Sequence, residues 1–204
     1  MKYQNSFLFL LLLIPMFFSC NDSQMDTRPT TTQRQFGIFR VQQNNTTVIM
    51  DGTINSSSLQ NFNALVRAFP KIKHIDLRNC DGSSDDIINL QLAKLIYDKK
   101  LSIHLVSNGT IASGGVDFFL AGAKRTKGSQ TRIGVHSWAN GHATATDYAV
   151  GHSNHLPYIN YYVYIGFTQK KAEEFYYFTI NAAPAMSMHW MTEHEIQKYG
   201  ILKN

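Results

Sequence analysis

Cysteine and clustered charge are both scarce in this sequence of 204 residues. The two cysteines, Cys20 and Cys80, do not make the disulfide framework of a small secreted domain. The formal net charge is +5, yet no basic run is longer than two residues and no aromatic stripe accompanies one. The excess charge therefore predicts a solvated surface, and nucleic acid is not an expected partner. Internal repeats and low-complexity tracts are also absent, which favours one ordinary globular domain.

Long apolar runs are missing too, apart from one near the N-terminus. Residues 7–18 follow Lys2 and are apolar except for Pro15, but the run is too short to span a bilayer comfortably, which is typical of a signal peptide. It ends in F-F-S-C, which resembles a bacterial lipobox and predicts cleavage after Ser19 with lipidation of Cys20. An ordinary secretory signal and an uncleaved anchor are the alternatives.

Three segments follow from this pattern. Residues 1–19 are predicted to be a signal peptide, 20–35 a lipidated cysteine with a flexible polar tether, and 36–204 the folded domain. The mature protein is then expected in the bacterial cell envelope, on the periplasmic side and anchored to a membrane by its lipid.

The body of the chain alternates between strand and helix patterns. Residues 36–41 and 46–50 flank N-N and predict a hairpin, and the later alternation predicts right-handed βαβ units around a largely parallel sheet. Ligand sites in such sheets lie beyond the carboxyl ends of the strands. The last helix is predicted to begin at a capping box of Thr192 and Glu195. The other predicted helices are 56–69, 87–97, 116–123, 153–165 and 168–180, and the predicted strands after the hairpin are 72–77, 101–106 and 132–135.

The stretch 109–136 contains the strongest chemical signal. Ser113 stands before two glycines and an apolar run, and a later strand pattern ends at His136. A serine at a helix start lies beside unpaired backbone N–H groups, here those of Gly114 and Gly115. Histidine is the side chain best suited to remove a serine proton near neutral pH. The pattern predicts a nucleophile, an oxyanion donor and a general base, and the alternative is a serine that merely caps the helix.

Five motifs in order carry a family resemblance. They are D-G-T-I, N-C-D-G-S-S, A-S-G-G-V with L-A-G-A-K-R, R-I-G-V-H-S-W and M-T-E-H-E-I-Q-K-Y-G. From Val48 to Leu202 the chain resembles the Clp protease proteolytic subunit (ClpP) and its crotonase-fold relatives, and more narrowly their exported bacterial branch with H-S-W and M-H-W-M-T stretches. The resemblance implies a single α/β domain with the repeated βαβ (spiral) fold.

The resemblance also implies an activity and its residues. Ser113 corresponds to the nucleophile, His136 to the general base and Gly114 to one oxyanion donor, with Gly82 or Ser83 as the other. The implied enzyme is a serine peptidase that acts on short or unfolded peptides and needs no cofactor. Because an exported protein would lack an ATP-driven unfoldase partner, the activity is expected to be ATP-independent. The family assembles through the region after its histidine, which implies a homo-oligomer, a trimer or a larger ring.

The third member of the triad departs from the family pattern. The family's acid falls where this sequence has Met188. Asp147, in the loop after His136, is the candidate for a relocated acid, and the alternatives are a carbonyl or water in its place, or no third member. Asp147 also fits a simple turn cap or a surface carboxylate.

Other functions remain in competition at this point. One is a binding or scaffolding lipoprotein that has kept the fold and lost efficient chemistry. Another is a metal site at His152 and His155, spaced to share a helix face near His136 and His142, although a bound metal is not expected. A crotonase-type acyl-CoA activity is disfavoured because an exported protein would lack that cofactor. An aromatic stripe predicts core or subunit interface rather than a binding site: Tyr161, Tyr162, Tyr164, Phe175, Tyr176 and Phe178.

Overall fold

The computed structural model describes residues 33–204, which form one compact unit. The predicted signal peptide, Cys20 and the tether as far as residue 32 lie outside the described residues. Among residues 33–204, no helix combines the length and the apolar character that crossing a membrane requires.

One eight-stranded sheet forms the centre of the domain. Its order is β1-β2-β3-β4-β5-β7-β8, and β6 pairs with β5 beside this path. The hairpin strands pair antiparallel, β3 to β7 pair parallel, and β8 returns antiparallel to β7. The strands are β1 Gln35–Phe36, β2 Phe39–Val41, β3 Thr47–Met50, β4 His74–Cys80, β5 Ser102–Ala112, β6 Arg125–Lys127, β7 Arg132–Val135 and β8 His189–Trp190.

Strand β5 is longer than predicted and turns the sheet into a spiral. The pattern predicted an end at residue 106, but pairing of Asn79 and Cys80 with Thr110 and Ile111 extends β5 to Ala112. Its first half pairs with β6 and its last residues pair with β7. Because one strand has two successive partners on the same side, the chain turns through βαβ units in the predicted spiral, and β5 ends directly at Ser113.

Within residues 33–204, six α-helices cover the sheet, and every helix that the pattern predicted is present. The predicted capping box is confirmed, since Thr192 and Glu195 bond each other's backbone N–H groups. At its other end, Gly200 caps the helix in the left-handed conformation. The helices are α1 Ser58–Ala68, α2 Asp86–Asp98, α3 Gly114–Leu120, α4 Leu156–Tyr164, α5 Gln169–Ala182 and α6 Glu193–Tyr199.

The aromatic stripe belongs mainly to the core of this chain. Tyr161 and Phe175 are fully buried, Tyr176 is 1% exposed and Tyr162 is 3% exposed. Their rings pack against one another and against Tyr199 at the end of α6. Only Tyr164 among the six is exposed. Of the two predicted roles, core and subunit interface, most of the stripe therefore serves the core, because α4 and α5 bury these rings against α3 and α6.

Candidate active site

Ser113 connects the end of β5 to the start of α3 in a strained conformation. Its φ of 52° and ψ of −130° lie in a backbone region that residues other than glycine rarely adopt. The backbone is held because Ser113 N donates to the Gly134 carbonyl at 3.0 Å and Val116 N donates to the Ser113 carbonyl at 2.8 Å. The side chain makes no capping hydrogen bond. The alternative that Ser113 merely caps the helix therefore fails, and its hydroxyl is left for another use.

Two glycines allow the loops around Ser113 to approach closely. Gly82, with φ of +136°, lies so near that an added Cβ would be 3.0 Å from the Ser113 Cβ and 3.5 Å from its Oγ. A Cβ on Gly114 would lie 2.7 Å from Asn89 Nδ2 and would also collide with Ser83 Oγ. The structure thus brings Gly82, Ser83 and Gly114 together around Ser113.

The backbone N–H groups of this cluster are available. Gly114 is the first residue of α3 and so has no intrahelical acceptor for its N–H. Among residues 33–204, neither this N–H nor that of Ser83 donates a hydrogen bond. The Gly82 carbonyl accepts instead from Ile54 N at 3.0 Å, which anchors the loop to the residue after the D-G-T turn. Free donors of this kind suit a developing oxyanion.

His136 follows β7 and receives a carbonyl in place of a carboxylate. Its Nδ1 lies 3.0 Å from the carbonyl oxygen of Ala185, in the loop between α5 and β8. A carbonyl only accepts, so Nδ1 carries the proton and Nε2 is left as the basic nitrogen. Ser113 and His136 line the same cavity without a hydrogen bond between their side chains. Catalytic hydrogen bonds often tighten only when substrate is bound.

The structure does not bring Asp147 to His136. Its carboxylate accepts from Thr144 N at 2.6 Å and from Thr144 Oγ1 at 3.0 Å, closing a capping box on the 3₁₀ turn Ala145–Asp147. Those bonds lower the pKa of this exposed carboxyl below its ordinary value. Met188 packs its sulfur over Gly134. Of the alternatives for the third member, the carbonyl of Ala185 occupies the position at the imidazole.

A cavity of about 40 Å³ opens beside Ser113. Its nucleophile wall consists of Ser113, Gly114 and His136. Its acidic-aromatic wall, which sequence reasoning missed, contains Asp86, Asp117, Tyr158, Tyr162 and Tyr176.

The two carboxyls on the acidic-aromatic wall are held by tyrosine hydroxyls. Tyr162 donates to Asp117 Oδ1 at 2.6 Å, and Tyr158 donates to Asp86 Oδ2 at 2.5 Å, while Ser83 Oγ donates to the other Asp86 oxygen. Asp117 is only 7% exposed. Its pKa is raised to about 7, mainly by burial; the Tyr162 hydrogen bond opposes the shift, and the charge of the nearby Asp86 adds a smaller increase.

Behind this wall lies a chain of hydrogen bonds. Trp138 Nε1 donates to the Tyr176 hydroxyl at 2.9 Å, and that hydroxyl lies 2.7 Å from His155 Nδ1. His155 Nε2 lies 3.1 Å from the Ala149 carbonyl. Both nitrogens of this fully buried histidine are thus occupied, which removes His155 as a metal ligand. Within the described part of the chain, no three His, Cys, Asp or Glu side chains are grouped to hold a metal ion.

Cys80 is a second nucleophilic side chain near the site, but it is inactive. The thiol is fully buried at the end of β4, and burial raises its pKa to about 11. It therefore stays protonated near neutral pH, and its Sγ donates to the Gly82 carbonyl at 3.5 Å.

Comparison with solved structures places the fold. A ClpP1 variant from Listeria monocytogenes matches with a TM-score of 0.50 and 18% identity, over 78% of this chain and 90% of that one. A variant of the 1510-N membrane-bound stomatin-specific protease matches with a TM-score of 0.50 and 16% identity, over 76% and 75%. No protein-family model matches the sequence, and no curated protein matches it either. The predicted fold class is confirmed: the chain has the single-domain α/β fold of ClpP.

Proposed function

We propose that this protein is a serine hydrolase, most simply a peptidase that cleaves short or unfolded peptides without ATP. One observation carries the proposal. Ser113 and His136, whose Nδ1 lies against the Ala185 carbonyl, line one cavity beside the backbone N–H groups of Gly114 and Ser83. Among residues 33–204, the Ser113 hydroxyl and these two N–H groups have no hydrogen-bond partner. The neighbours of the same fold are named as ClpP1 and a protease, which agrees with this reaction class.

The reaction proceeds in two balanced halves. The Ser113 Oγ attacks the peptide carbonyl carbon while its proton passes to His136 Nε2, and the carbonyl oxygen becomes an oxyanion facing the N–H groups of Gly114 and of Gly82 or Ser83. The C–N bond breaks as His136 returns the proton to the leaving amine. Water then attacks the acyl-enzyme, giving its proton to His136, and Ser113 recovers a proton as the acid product leaves.

The carbonyl partner of His136 has a definite consequence for rate. It holds the imidazole in the tautomer that accepts the serine proton, which is one role of a triad carboxylate. It has no full negative charge to stabilise the imidazolium that forms. We therefore expect turnover slower than that of a triad with a carboxylate.

Labelling by a fluorophosphonate probe tests the activity. The wild type is expected to form a covalent adduct at Ser113 with loss of fluoride, whereas Ser113→Ala and His136→Ala each abolish labelling. The double variant should lose no more than either single one, because the two groups act as a unit. Ser129→Ala, a serine on the β6–β7 loop, is the matched control and should label like wild type. Labelling that persists in Ser113→Ala would identify a different nucleophile.

A scaffolding lipoprotein is the second candidate. The observation in its favour is that His136 meets a carbonyl rather than a carboxylate and makes no hydrogen bond to Ser113. A folded wild type that takes up no probe between about pH 6 and about pH 9, across the histidine range, would favour this function.

Envelope location and self-association complete the proposal. Lipidation of Cys20 would anchor the protein on the periplasmic side, and the structural neighbour described as membrane-bound agrees with a membrane setting. A palmitate analogue should label wild type and not Cys20→Ala. A trimer or larger ring is proposed from the family resemblance, with exposed apolar side chains at Ile87, Val150 and Met186 left to bury. A monodisperse monomer in light scattering at micromolar concentration would contradict it.

A further inference from the structure

The cavity beside Ser113 is lined by two carboxyl groups, those of Asp86 and Asp117, without a lysine or arginine to balance them. Among residues 33–204 neither carboxyl belongs to an ion pair. The chain as a whole has five more basic than acidic residues, so the acidic lining does not follow from composition. Buried charges in proteins are normally paired, which makes this cavity a place for a ligand's positive charge.

Asp117 has one oxygen free to meet such a charge. Tyr162 occupies Oδ1 at 2.6 Å, whereas Oδ2 has no hydrogen-bond partner among the described residues. Asp117 is only 7% exposed and yet lines the cavity. Its Oδ2 is not among the fully buried polar atoms that lack a partner in residues 33–204, so this oxygen keeps some contact with open space. The free oxygen of a nearly buried carboxyl therefore faces the cavity.

The remaining polar groups of the wall are already committed. The hydroxyl of Tyr158 donates to Asp86, that of Tyr162 donates to Asp117, and that of Tyr176 accepts from Trp138. The ring of Tyr158 stacks on that of the adjoining Trp138, with centroids 6.2 Å apart, and on that of Tyr176, with centroids 5.6 Å apart. The wall thus offers aromatic surface and carboxyl oxygens, the combination that recognises a cation on an apolar stem.

Position and size define which part of a substrate enters. Asp117 lies one turn beyond Ser113 on α3, about 6 Å along the helix axis. A volume of about 40 Å³ is enough for roughly three water-sized groups, hence for the end of one slender side chain. Since Ser113 lies at the cavity wall, the entering side chain is that of the residue whose carbonyl is attacked. Lysine has a four-carbon stem with a compact ammonium, whereas the arginine guanidinium is wide and planar.

We propose that this cavity selects substrates with a lysine-like ammonium side chain on the residue that donates the scissile carbonyl, with Asp117 Oδ2 receiving the ammonium and Asp86 adding negative charge. This selectivity deepens the proposed peptidase function and rests on it. A neutral side chain of the same shape would leave the Asp117 carboxyl buried without a partner.

A pair of matched phosphonate probes tests the selectivity. Diphenyl phosphonates bearing a lysine or a norleucine side chain differ only in the terminal ammonium, and each bonds its phosphorus to Ser113 Oγ with loss of phenol. The wild type is expected to react with the lysine probe at least about tenfold faster, the gain of a hydrogen bond to a charged group. In Asp117→Asn the ratio should fall to about one, and in Asp86→Asn it should fall in part. The ratio of the lysine-probe rate to the norleucine-probe rate is taken within each variant, so a change that slows both probes equally does not alter it.

The outcomes separate this inference from the proposed function. If norleucine reacts as fast as lysine in a wild type that takes up the fluorophosphonate, the peptidase stands and the selectivity fails. If no phosphonate reacts, calorimetry measures the binding of n-butylammonium to the full-length wild type and, separately, the binding of n-butanol, its uncharged counterpart. Tighter binding of the ammonium that Asp117→Asn abolishes supports the cation site without catalysis, and equal binding overturns it. Should Asp117→Asn fail to fold, an unchanged ratio in Asp86→Asn overturns the proposal.

The ratio of the two probes should also depend on pH. As Asp117 ionises, the ammonium gains its partner, so the lysine preference should grow as pH rises through about 7. The groups facing Asp117 are Asp86 on α2, Tyr158, Tyr161 and Tyr162 on α4, Tyr176 on α5 and His136 after β7. Burial raises the pKa of all four tyrosines, so they stay neutral. A ratio that stays flat with pH would contradict the role of Asp117.

Discussion

The nucleophile wall and the acidic-aromatic wall of the cavity are built in different ways. The nucleophile wall comes from the ends of β5 and β7, where short motifs fix the backbone around Ser113 and His136. The acidic-aromatic wall comes from α2, α3, α4 and α5, and it forms only when these helices pack together. The nucleophile wall leaves groups unbonded, whereas nearly every polar group of the other wall is bonded. In the proposed hydrolase, reactivity would therefore depend on local backbone geometry and selectivity on long-range packing.

The largest expected effect comes from closing the space around Ser113. In Gly114→Ala the new Cβ would lie 2.7 Å from Asn89 Nδ2 and would collide with Ser83 Oγ, so the loop and its N–H groups must move. Because loss of one oxyanion donor costs about 100-fold or more, fluorophosphonate labelling should fall by at least that factor. Gly141→Ala is the control: it strains an exposed loop glycine with φ of +85°, but its Cβ meets nothing within 4 Å, so it should label like wild type. Equal rates in both variants would contradict the assigned oxyanion hole.

The next largest effect is on the free energy of unfolding, and it reports on the Asp117 carboxyl. Its pKa is raised from 3.8 to about 7 in the folded protein, so the folded state holds a proton that the unfolded state has lost between those values. The contribution of Asp117 to wild-type stability therefore falls as pH rises from about 4 to about 7, and this penalty is fully present above 7. Asp117→Asn has no carboxyl to ionise and therefore lacks this loss of stability. Urea unfolding should show its stability rising relative to wild type by on the order of 4 kcal/mol between about pH 4 and about pH 8.

The exposed variant Asp81→Asn is the control for that pH comparison. Its stability should run parallel to that of wild type, because its side chain is not buried. If Asp117→Asn also runs parallel, the carboxyl is not desolvated as the structure indicates.

A smaller loss is expected behind the acidic-aromatic wall. Tyr176→Phe removes the acceptor of Trp138 Nε1 and the partner of His155 Nδ1, leaving one part-buried and one buried polar group unpaired. Each such group costs about 1 to 3 kcal/mol of the free energy of unfolding. Tyr97→Phe is the matched control, since the Tyr97 hydroxyl bonds no described group, and it should change stability by less than about 0.5 kcal/mol. Equal losses would show that ring packing, and not the hydrogen-bond chain, stabilises this region.

The smallest effect is expected at Asp147. Its carboxylate caps the 3₁₀ turn through Thr144, and His136 has Ala185 as its partner. Asp147→Ala should therefore leave the rate of fluorophosphonate labelling within about twofold of wild type, as should Thr144→Ala, which breaks the same cap. A collapse of labelling in Asp147→Ala alone would restore Asp147 as the triad acid and overturn the assignment of the Ala185 carbonyl.

Much of the nucleophile wall could be predicted from the sequence. The order of motifs correctly placed Ser113 at a helix start and His136 after a strand, because small residues and strand ends leave a local pattern. A signal for the other wall was present but weak, since Asp117 is a carboxyl four positions after Ser113 within an apolar helix. Without the neighbouring helices, nothing distinguished it from an acid in the first turn of a helix.

The sequence by itself determined the alternation of strands and helices, the capping box of α6 and the turn that presents Ser113, because each depends on residues close together in the chain. Only the tertiary structure decided which group meets His136. A backbone carbonyl such as that of Ala185 is present at every residue, so its role leaves no mark in the sequence. It also decided that Asp147 caps a turn and that Asp86 and Asp117 share a cavity with Ser113. Those outcomes depend on how the helices pack over the sheet, and burial there sets both the pKa of Asp117 and the space left for a substrate.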